Sequence, residues 1–379
     1  MTETGIDRIV SVFPCENLHL QTTRSWDFIG FPTTVERSPV ESFSDQGLGL
    51  IPTKWRGECQ GGVNFTCNKK IIGARSYGIE ESARDYKGHA THVASILAGN
   101  QVQRASFYGV AEGNARGDVP STRLAVYKVC GKFQCVYSDM LSAFDDVISD
   151  GVDIIAVSLR SSTEDVTSDP ITIGAFHAMQ RGILTIVSVA ASDSDREIIN
   201  KAILGDGTVL VGTSINSFPL NQEKIPLVYE RQVTNTCSEN DARYCLPGCL
   251  DNSLVRQKVV LCDIDSHNEM NLVKSYQKSA KEPKVQTYKN EAIYDPQAPL
   301  IASFSSRGPC EFISNIIKPD VTAPGVEILA AFSLMGSPSE TFIDERSVKY
   351  NILSGTSISC PHVASAAAFV KSFYPDWSP

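Results

Sequence analysis

From Gly88 to Ala191 the chain alternates short apolar runs with stretches of helical periodicity, and this pattern constrains its fold more than any other feature. Val93, Ala94, Ile96, Leu97 and Ala98 suit a buried helix, and Leu124 to Val129 is a strand-like run. Met140, Leu141, Phe144, Val147 and Ile148 recur at helical spacing across Ser138 to Ser149. Asp153 to Leu159 reads as a second strand. Pro170 to Gly182 reads as a helix closed by glycine, and Ile183 to Ala191 as a third strand. Strands that alternate with helices on this spacing lie parallel and are covered on both faces. The expectation is an α/β fold: a parallel sheet with helices on both sides.

The rhythm is interrupted. Residues 1–23 hold a short apolar stretch (Ile9, Val10, Val12, Phe13), enough for a strand or two but not a domain, and residues 24–75 are rich in Gly, Pro and Ser and read as loops. Residues 223–295 hold seven lysines between Lys224 and Lys289, three close cysteines and short strands such as Val259 to Cys262. They read as a separate, mostly β insertion. From Ala298 the α/β character returns, with Leu300 to Phe304 and Leu329 to Phe332 as strands and an alanine-rich helix starting near Ser359. The 379 residues leave room for two or three domains. The net charge of −9 argues against a nucleic-acid partner, because such proteins carry a basic face.

The compartment signals conflict. No apolar run approaches the ~20 residues of a membrane span. The opening residues carry Glu3 and Asp7 and no apolar core of signal-peptide length. Yet there are 11 cysteines, several closely spaced: Cys59/Cys67, Cys130/Cys135 and Cys245/Cys249. A zinc site would want a four-ligand set with CxxC spacing, which is absent. Short-loop disulfides fit better and imply an oxidising compartment. Asn64-Phe65-Thr66 is a glycosylation sequon and points the same way. The conflict suggests that the first residue here is not the original N-terminus.

Two stretches could carry chemistry. Gly88-His89-Ala90-Thr91-His92 opens a helix, where a histidine is held by the backbone and suits a general base; capping or core packing is the alternative. Two histidines three apart also raise a metal site, but zinc helices use a spacing of four with an intervening glutamate, absent here. Ser354-Gly355-Thr356-Ser357-Ile358-Ser359-Cys360-Pro361-His362 places small residues ahead of a serine and an alanine-rich helix after it. Ser357 would then sit where strand turns to helix, its hydroxyl exposed beside backbone N–H groups, as a nucleophile requires. A plain capping serine is the alternative.

Together these stretches resemble the subtilisin-like serine proteases, and in particular the plant, cucumisin-type subtilases. Gly88 to His92 matches the family's histidine motif and Gly355 to His362 its serine motif. Further matches follow in family order. They are Thr22 to Phe28, Asn68 to Arg75, Phe144-Asp145-Asp146, Gly174 to Met179, Ala302 to Pro309 and Lys318 to Gly325. The resemblance implies a serine endopeptidase with polypeptide substrates, no cofactor and no metal. Ser357 would attack the peptide carbonyl and His89 take its proton. Val157-Ser158-Leu159 resembles the family's substrate-binding strand, so Ser158 and Leu159 are expected to bind substrate. The resemblance also implies secretion to the cell wall. The implied organisation is a propeptide remnant at 1–23, a peptidase domain at 24–222 and 296–379, and a remnant of a protease-associated insertion at 223–295.

The chain departs from the family pattern. The family's triad acid lies in an Asp-Thr-Gly motif at the end of the first sheet strand, and no such tripeptide occurs here. Its expected flanks, Pro39-Val40 and Glu41 to Asp45, abut directly. Asp45 and Asp85 match other family positions and are not carried over as the acid. Near Leu184 to Ala191 the family's Asn-Ser-Ala-Gly-Asn-Ser-Gly, whose second Asn lines the oxyanion hole, is missing. Ala90, Asp118 and Arg160 each replace a glycine. The expectation is a protease of impaired activity, or an inactive homologue that binds peptides without cutting.

Overall fold

The structure, a computed structural model, describes residues 42–63, 65–78, 82–131, 134–160, 165–213, 215, 223–234, 237–246, 248–263, 268–310, 313–339 and 344–379. The expected propeptide remnant, the abutting flanks at 39–41 and the sequon at Asn64 lie outside these residues. The chain forms two compact units. The first holds residues up to 107, 111–196 and 294–379, and the second holds 108–110 and 197–293.

The first unit alternates strand and helix as expected. In chain order it runs β1 (Ile71–Ser76), α1 (His89–Ala98), β2 (Val102–Phe107), β3 (Val110–Ala115, which begins in the second unit), β4 (Leu124–Lys128), α2 (Tyr137–Asp150), β5 (Ile154–Ala156), α3 (Pro170–Gln180), β6 (Leu184–Ile186) and β7 (Ala190–Ser192). Helix α3 starts where Asp169 accepts hydrogen bonds from the Ile171 and Thr172 N–H groups, with Pro170 in the first turn. Helix α2 buries Met140, Phe144 and Val147 of the expected stripe, with Leu141 and Ile148 half-buried and Ala143 buried besides. Those four buried residues join Val129, Ile155, Val157, Ile171, Ala178 and Ile183 in one hydrophobic cluster.

The second unit begins with β8 (Arg196–Leu204), β9 (Val209–Thr213), β10 (Ile225–Tyr229), α4 (Glu239–Arg243) and α5 (Asn252–Val255). It continues with β11 (Val259–Leu261), α6 (Asn268–Ser279), β12 (Lys284–Thr287) and β13 (Glu291–Tyr294). Its sheet has the order β11-β10-β12-β8-β13, with β9 also on β8, and Leu204, Leu227, Val273, Tyr276 and Val285 pack together. The chain then returns to the first unit with β14 (Thr322–Pro324), β15 (Ile328–Ala331), β16 (Tyr350–Leu353) and α7 (Thr356–Phe373).

The first unit's parallel strands occur as three separate pairs: β1 with β4, β5 with β6, and β7 with β14. Among the described residues, nothing pairs with the second edge of β4 or of β5. The single strand expected over Ile183 to Ala191 is two, β6 and β7, serving different pairs. The strand expected over Leu300 to Phe304 is reduced to one bridge between Ile301 and Ser192. Side chains take up the backbone groups there: Asp193 accepts from the Leu300 N–H, and Ser305 from the Ala191 N–H. Strand β1 lies in the region read as loops.

Disulfides join Cys59 to Cys67 and Cys130 to Cys135, as their spacing suggests. The Cys245/Cys249 pairing is corrected: Cys245 bonds Cys262, and Cys249 bonds Cys237. Tertiary contacts decide this. The Asp263 N–H donates to the Arg243 carbonyl at 2.6 Å, bringing the end of β11 to the end of α4. The Thr234 hydroxyl donates to the Cys249 carbonyl, also at 2.6 Å, bringing Cys249 toward Cys237. No helix among the described residues is long and apolar enough to cross a membrane.

A polar clamp holds α2 onto the β1/β4 pair. Arg75 donates to both oxygens of Asp150, at 3.0 and 3.3 Å, and the Tyr127 hydroxyl donates to the same carboxylate at 2.6 Å. One turn earlier, Asp146 accepts from the Tyr77 hydroxyl at 2.7 Å. Burial first, and the bonded carboxylates second, push both phenols well above their ordinary range. The Asp150 side chain is 6% exposed, so deleting it strands Arg75 and Tyr127. Asp150→Ala is expected to lower stability by about 3 kcal/mol in urea denaturation. Asp153→Ala, which removes only an exposed partner of Lys54, should cost under ~0.5 kcal/mol.

Candidate active site

Ser357 is placed by a strand-to-helix turn. Strand β16 pairs antiparallel with β15 and delivers the chain through Ser354 and Gly355 into α7, whose second residue is Ser357. The Gly355 N–H donates to the Gly325 carbonyl at 2.7 Å, and a side chain at Gly325 would meet the Ser359 hydroxyl and the Gly355 carbonyl. That close approach is available only to glycine.

Pro361 sits inside the first turns of α7. It lacks the N–H that would bond the carbonyl four residues back, which is that of Ser357. The Ser158 hydroxyl supplies the donor instead, reaching the Ser357 carbonyl at 2.8 Å. In return the Ser357 hydroxyl donates to the Ser158 carbonyl at 3.3 Å. This reciprocal pair ties the start of α7 to the segment that continues β5. Val157 of that segment donates its N–H to the Ile186 carbonyl, and Leu159 packs against the α2/α3 cluster. Beneath, the Cys360 thiol contacts the Ile186 carbonyl at 3.3 Å, and burial pushes it up to about 11, so it stays protonated at neutral pH.

His89 is the first residue of α1 and is 4% exposed. The turn before it needs glycine: Gly88 has φ +88°, and a side chain there would run into the Phe332 ring. Asp85 organises the same turn. Its carboxylate accepts from the N–H groups of Lys87, Gly88 and Thr91 at 3.0, 2.8 and 2.7 Å, and from the Thr91 hydroxyl at 2.7 Å. These bonds commit Asp85 to the helix N-terminus. His92 lies one turn on, fully buried, with Nε2 at 3.1 Å from the Asn351 carbonyl. Burial holds its pKa well below the ordinary range and keeps the ring neutral; the neighbouring His89 adds to this.

The two helices that carry His89 and Ser357 pack together. Val93 and Ile96 of α1, Ile328 and Ala330 of β15 and Ile358 of α7 form one cluster, and the Ser365 hydroxyl donates to the Leu97 carbonyl at 3.3 Å. A buried pair completes the contact. His362 Nδ1 lies 2.8 Å from Asp118 Oδ2, both side chains being fully buried. Burial raises the Asp118 carboxyl above its usual range, and His362 partly offsets this. In the sequence Asp118 stands only as a replaced glycine, with no partner indicated. A signal exists all the same: a charged side chain occupies a position whose family residue has none. The structure brings Ser158 and Ser357 into direct contact and sets Leu159 beside them. It sets His89 on the adjoining helix, while the Ser357 hydroxyl is bonded to Ser158.

Residues 68–379 match the model of the subtilase family, Peptidase S8. The chain belongs to that family. It is 44% identical to Subtilisin-like protease SBT4.4 of Arabidopsis thaliana over 455 aligned positions, covering 99% of this chain and 61% of the relative. Subtilisin-like protease SBT4.3 of the same plant is likewise 44% identical and covered to 62%. This chain therefore spans about three-fifths of the length of these relatives. The aligned stretch is longer than the chain itself, so SBT4.4 carries segments within it that this subtilase lacks. Among solved structures, Sphericase aligns at 17% identity and TM-score 0.38, over 79% of this chain and 68% of its own. A cold-adapted subtilisin-like serine proteinase aligns at 16% and 0.39, over 85% and 76%. These overlaps are loose, and the family assignment rests on sequence.

The neutral burial of His92 has a consequence in solution. Unfolded, this ring binds a proton below about pH 6.5, whereas folded it does not. Its depressed pKa therefore leaves stability intact above pH 6.5 and removes it as the pH falls below that value. As the pH falls from 7.5 towards 5, this group should progressively lower stability, and His92→Gln should flatten that part of the urea-denaturation profile.

Proposed function

We propose that this chain carries the serine-endopeptidase chemistry of its family, with Ser357 as nucleophile and His89 as its general base, at a rate well below that of an intact subtilase. The observation that carries the reading is the Ser357 turn. The serine opens a helix, is held by Ser158, and lies on a helix packed against that of His89. Polypeptides are the substrates, paired along Val157 to Leu159, with Ser158 and Leu159 as contacts. The proposed layout is a peptidase domain at 24–222 and 296–379, an insertion at 223–295 and a propeptide remnant at 1–23. The disulfides support an oxidising compartment, in keeping with the secretion to the cell wall that the family resemblance implies.

The reduced rate follows from what is missing. No Asp-Thr-Gly acid motif is present, and the oxyanion asparagine motif is absent near Leu184. In serine proteases with intact triads, loss of the acid lowers turnover roughly 10⁴-fold and loss of one oxyanion donor roughly 10²–10³-fold. The Ser357 hydroxyl donates to the Ser158 carbonyl, which favours a second reading, an inactive homologue that binds peptides. A fluorophosphonate probe separates the two. Slow labelling of the full chain, absent in Ser357→Ala and strongly slowed in His89→Ala, is the expected result. Absence of labelling under conditions that label an intact subtilase would leave the peptide-binding reading.

A further inference from the structure

Glu230 is a buried acid of the second unit. It opens the short 3₁₀ turn Glu230–Gln232, which follows β10 and packs against α4. Its side chain has no exposed surface, and neither carboxyl oxygen accepts a hydrogen bond from a described residue. Arg231 Nε lies 3.6 Å from Oε1, beyond hydrogen-bond reach, on a side chain that is 56% exposed. The acid beside it is the opposite case. Asp263, just after β11, accepts from the Tyr229 hydroxyl at 2.9 Å, Arg243 Nε at 3.1 Å and Lys274 Nζ at 2.5 Å. A carboxylate closed off from water and without donors is costly, and a protonated carboxyl far less so. Burial accordingly raises the Glu230 carboxyl above its ordinary value, and the Asp263 charge adds to this. Its own N–H, Arg231 and Lys274 offset only part.

We propose that Glu230 is a proton-operated latch on the second unit: protonated, it holds the turn Glu230–Gln232 shut, and when it gives its proton to water the carboxylate moves out toward the exposed Arg231 and the turn opens. Shut, the turn carries a linked set of bonds. Gln232 Oε1 accepts from the Tyr229 N–H at 2.9 Å, the Glu230 carbonyl accepts from the Val233 N–H at 3.0 Å, and the Val233 carbonyl accepts from the Asp251 N–H at 2.8 Å. Val233 is fully buried, so opening exposes apolar surface as well. The Cys237–Cys249 bond lies just beyond the turn and keeps the opening local. An exposed glutamate holds its proton only below about pH 4.3. The shut turn holds it to higher pH, so its stability is full below that value and is lost as the pH rises toward the shut-state value. His92 acts in the reverse direction, loosening its own unit as the pH falls. The described groups around Glu230 keep their charge through this window. Burial opposes the Asp263 charge, but the bonds from Lys274, Tyr229 and Arg243 outweigh it and hold that carboxyl below its ordinary value. Bonds to Asp263 raise Lys274 and Arg243, and burial followed by the same acid raises Tyr229. Asp241 of α4 is taken up by the Ser238 hydroxyl at 2.7 Å.

Amide hydrogen exchange of the full chain between about pH 5 and 7.5 tests the latch, with rates corrected for the intrinsic pH dependence of exchange. The Val233 and Asp251 amides should open more often as the pH rises, by up to about tenfold per pH unit, the limit for one proton. Amides of α2, in the first unit, should show no such rise. Glu230→Gln cannot ionise and should give a flat profile at Val233 and Asp251. Glu230→Met, equally neutral, should do the same, and it covers the case in which a buried amide keeps the glutamine variant from folding. Opening in the unsubstituted chain that is flat or falls with pH would overturn the latch. So would a rise of equal size in α2, or a slope that survives in the variants. Neither Ser357 nor His89 enters this readout, which keeps it separate from the probe experiment.

Discussion

A strand inside a covered parallel sheet must satisfy hydrogen-bonding groups on both edges, and this constraint shapes the first unit. Helices α2 and α3 bury one continuous cluster as though a single sheet lay beneath them. Among the described residues, the strands under that cluster are joined in twos. Hydrophobic packing is nondirectional and tolerates an absent neighbour; main-chain hydrogen bonding is directional and does not. The clamp of Arg75, Tyr127 and Asp150 fixes α2 to the β1/β4 pair by side chains as well as by apolar contact.

The same imbalance runs through the active site. Local geometry around Ser357 is complete: the glycine at 325 permits the turn, Pro361 leaves one carbonyl unbonded, and Ser158 fills it. The helices of His89 and Ser357 are joined by apolar contacts, and His362 of the second pairs with Asp118, whose N–H donates to the Ile96 carbonyl of the first. Two described acids near these helices are engaged elsewhere. Asp85, the acid nearest His89 in sequence, directs its oxygens to the start of α1, and Asp118 is fully buried against His362. A histidine base works best when a carboxylate stabilises the imidazolium that forms, and neither acid is committed to that task.

Much of this was legible in the sequence. The helices at 137–150 and 170–180 follow from apolar spacing in the first and from Pro170 and the closing Gly182 in the second. The strand-to-helix turn at Ser357 follows from its run of small residues. Legibility failed where partners distant in sequence decide the outcome. Leu300 to Phe304 is apolar enough for a strand, yet Asp193 and Ser305 take part in its backbone bonding and leave one bridge. Cys245 and Cys249 are neighbours in sequence, yet each bonds a cysteine brought near by other contacts.

By itself the sequence determined the family, the α/β class and the candidate residues His89, Ser158, Leu159 and Ser357, because motifs and hydrophobic period are local properties that survive the loss of neighbouring segments. Only the tertiary structure decided which strands pair, which cysteines bond, that Asp118 meets His362, and that Ser357 and Ser158 hold one another. Those outcomes depend on groups far apart in the chain that meet only once the helices have packed, and directional bonds between such groups leave no periodic trace in the sequence.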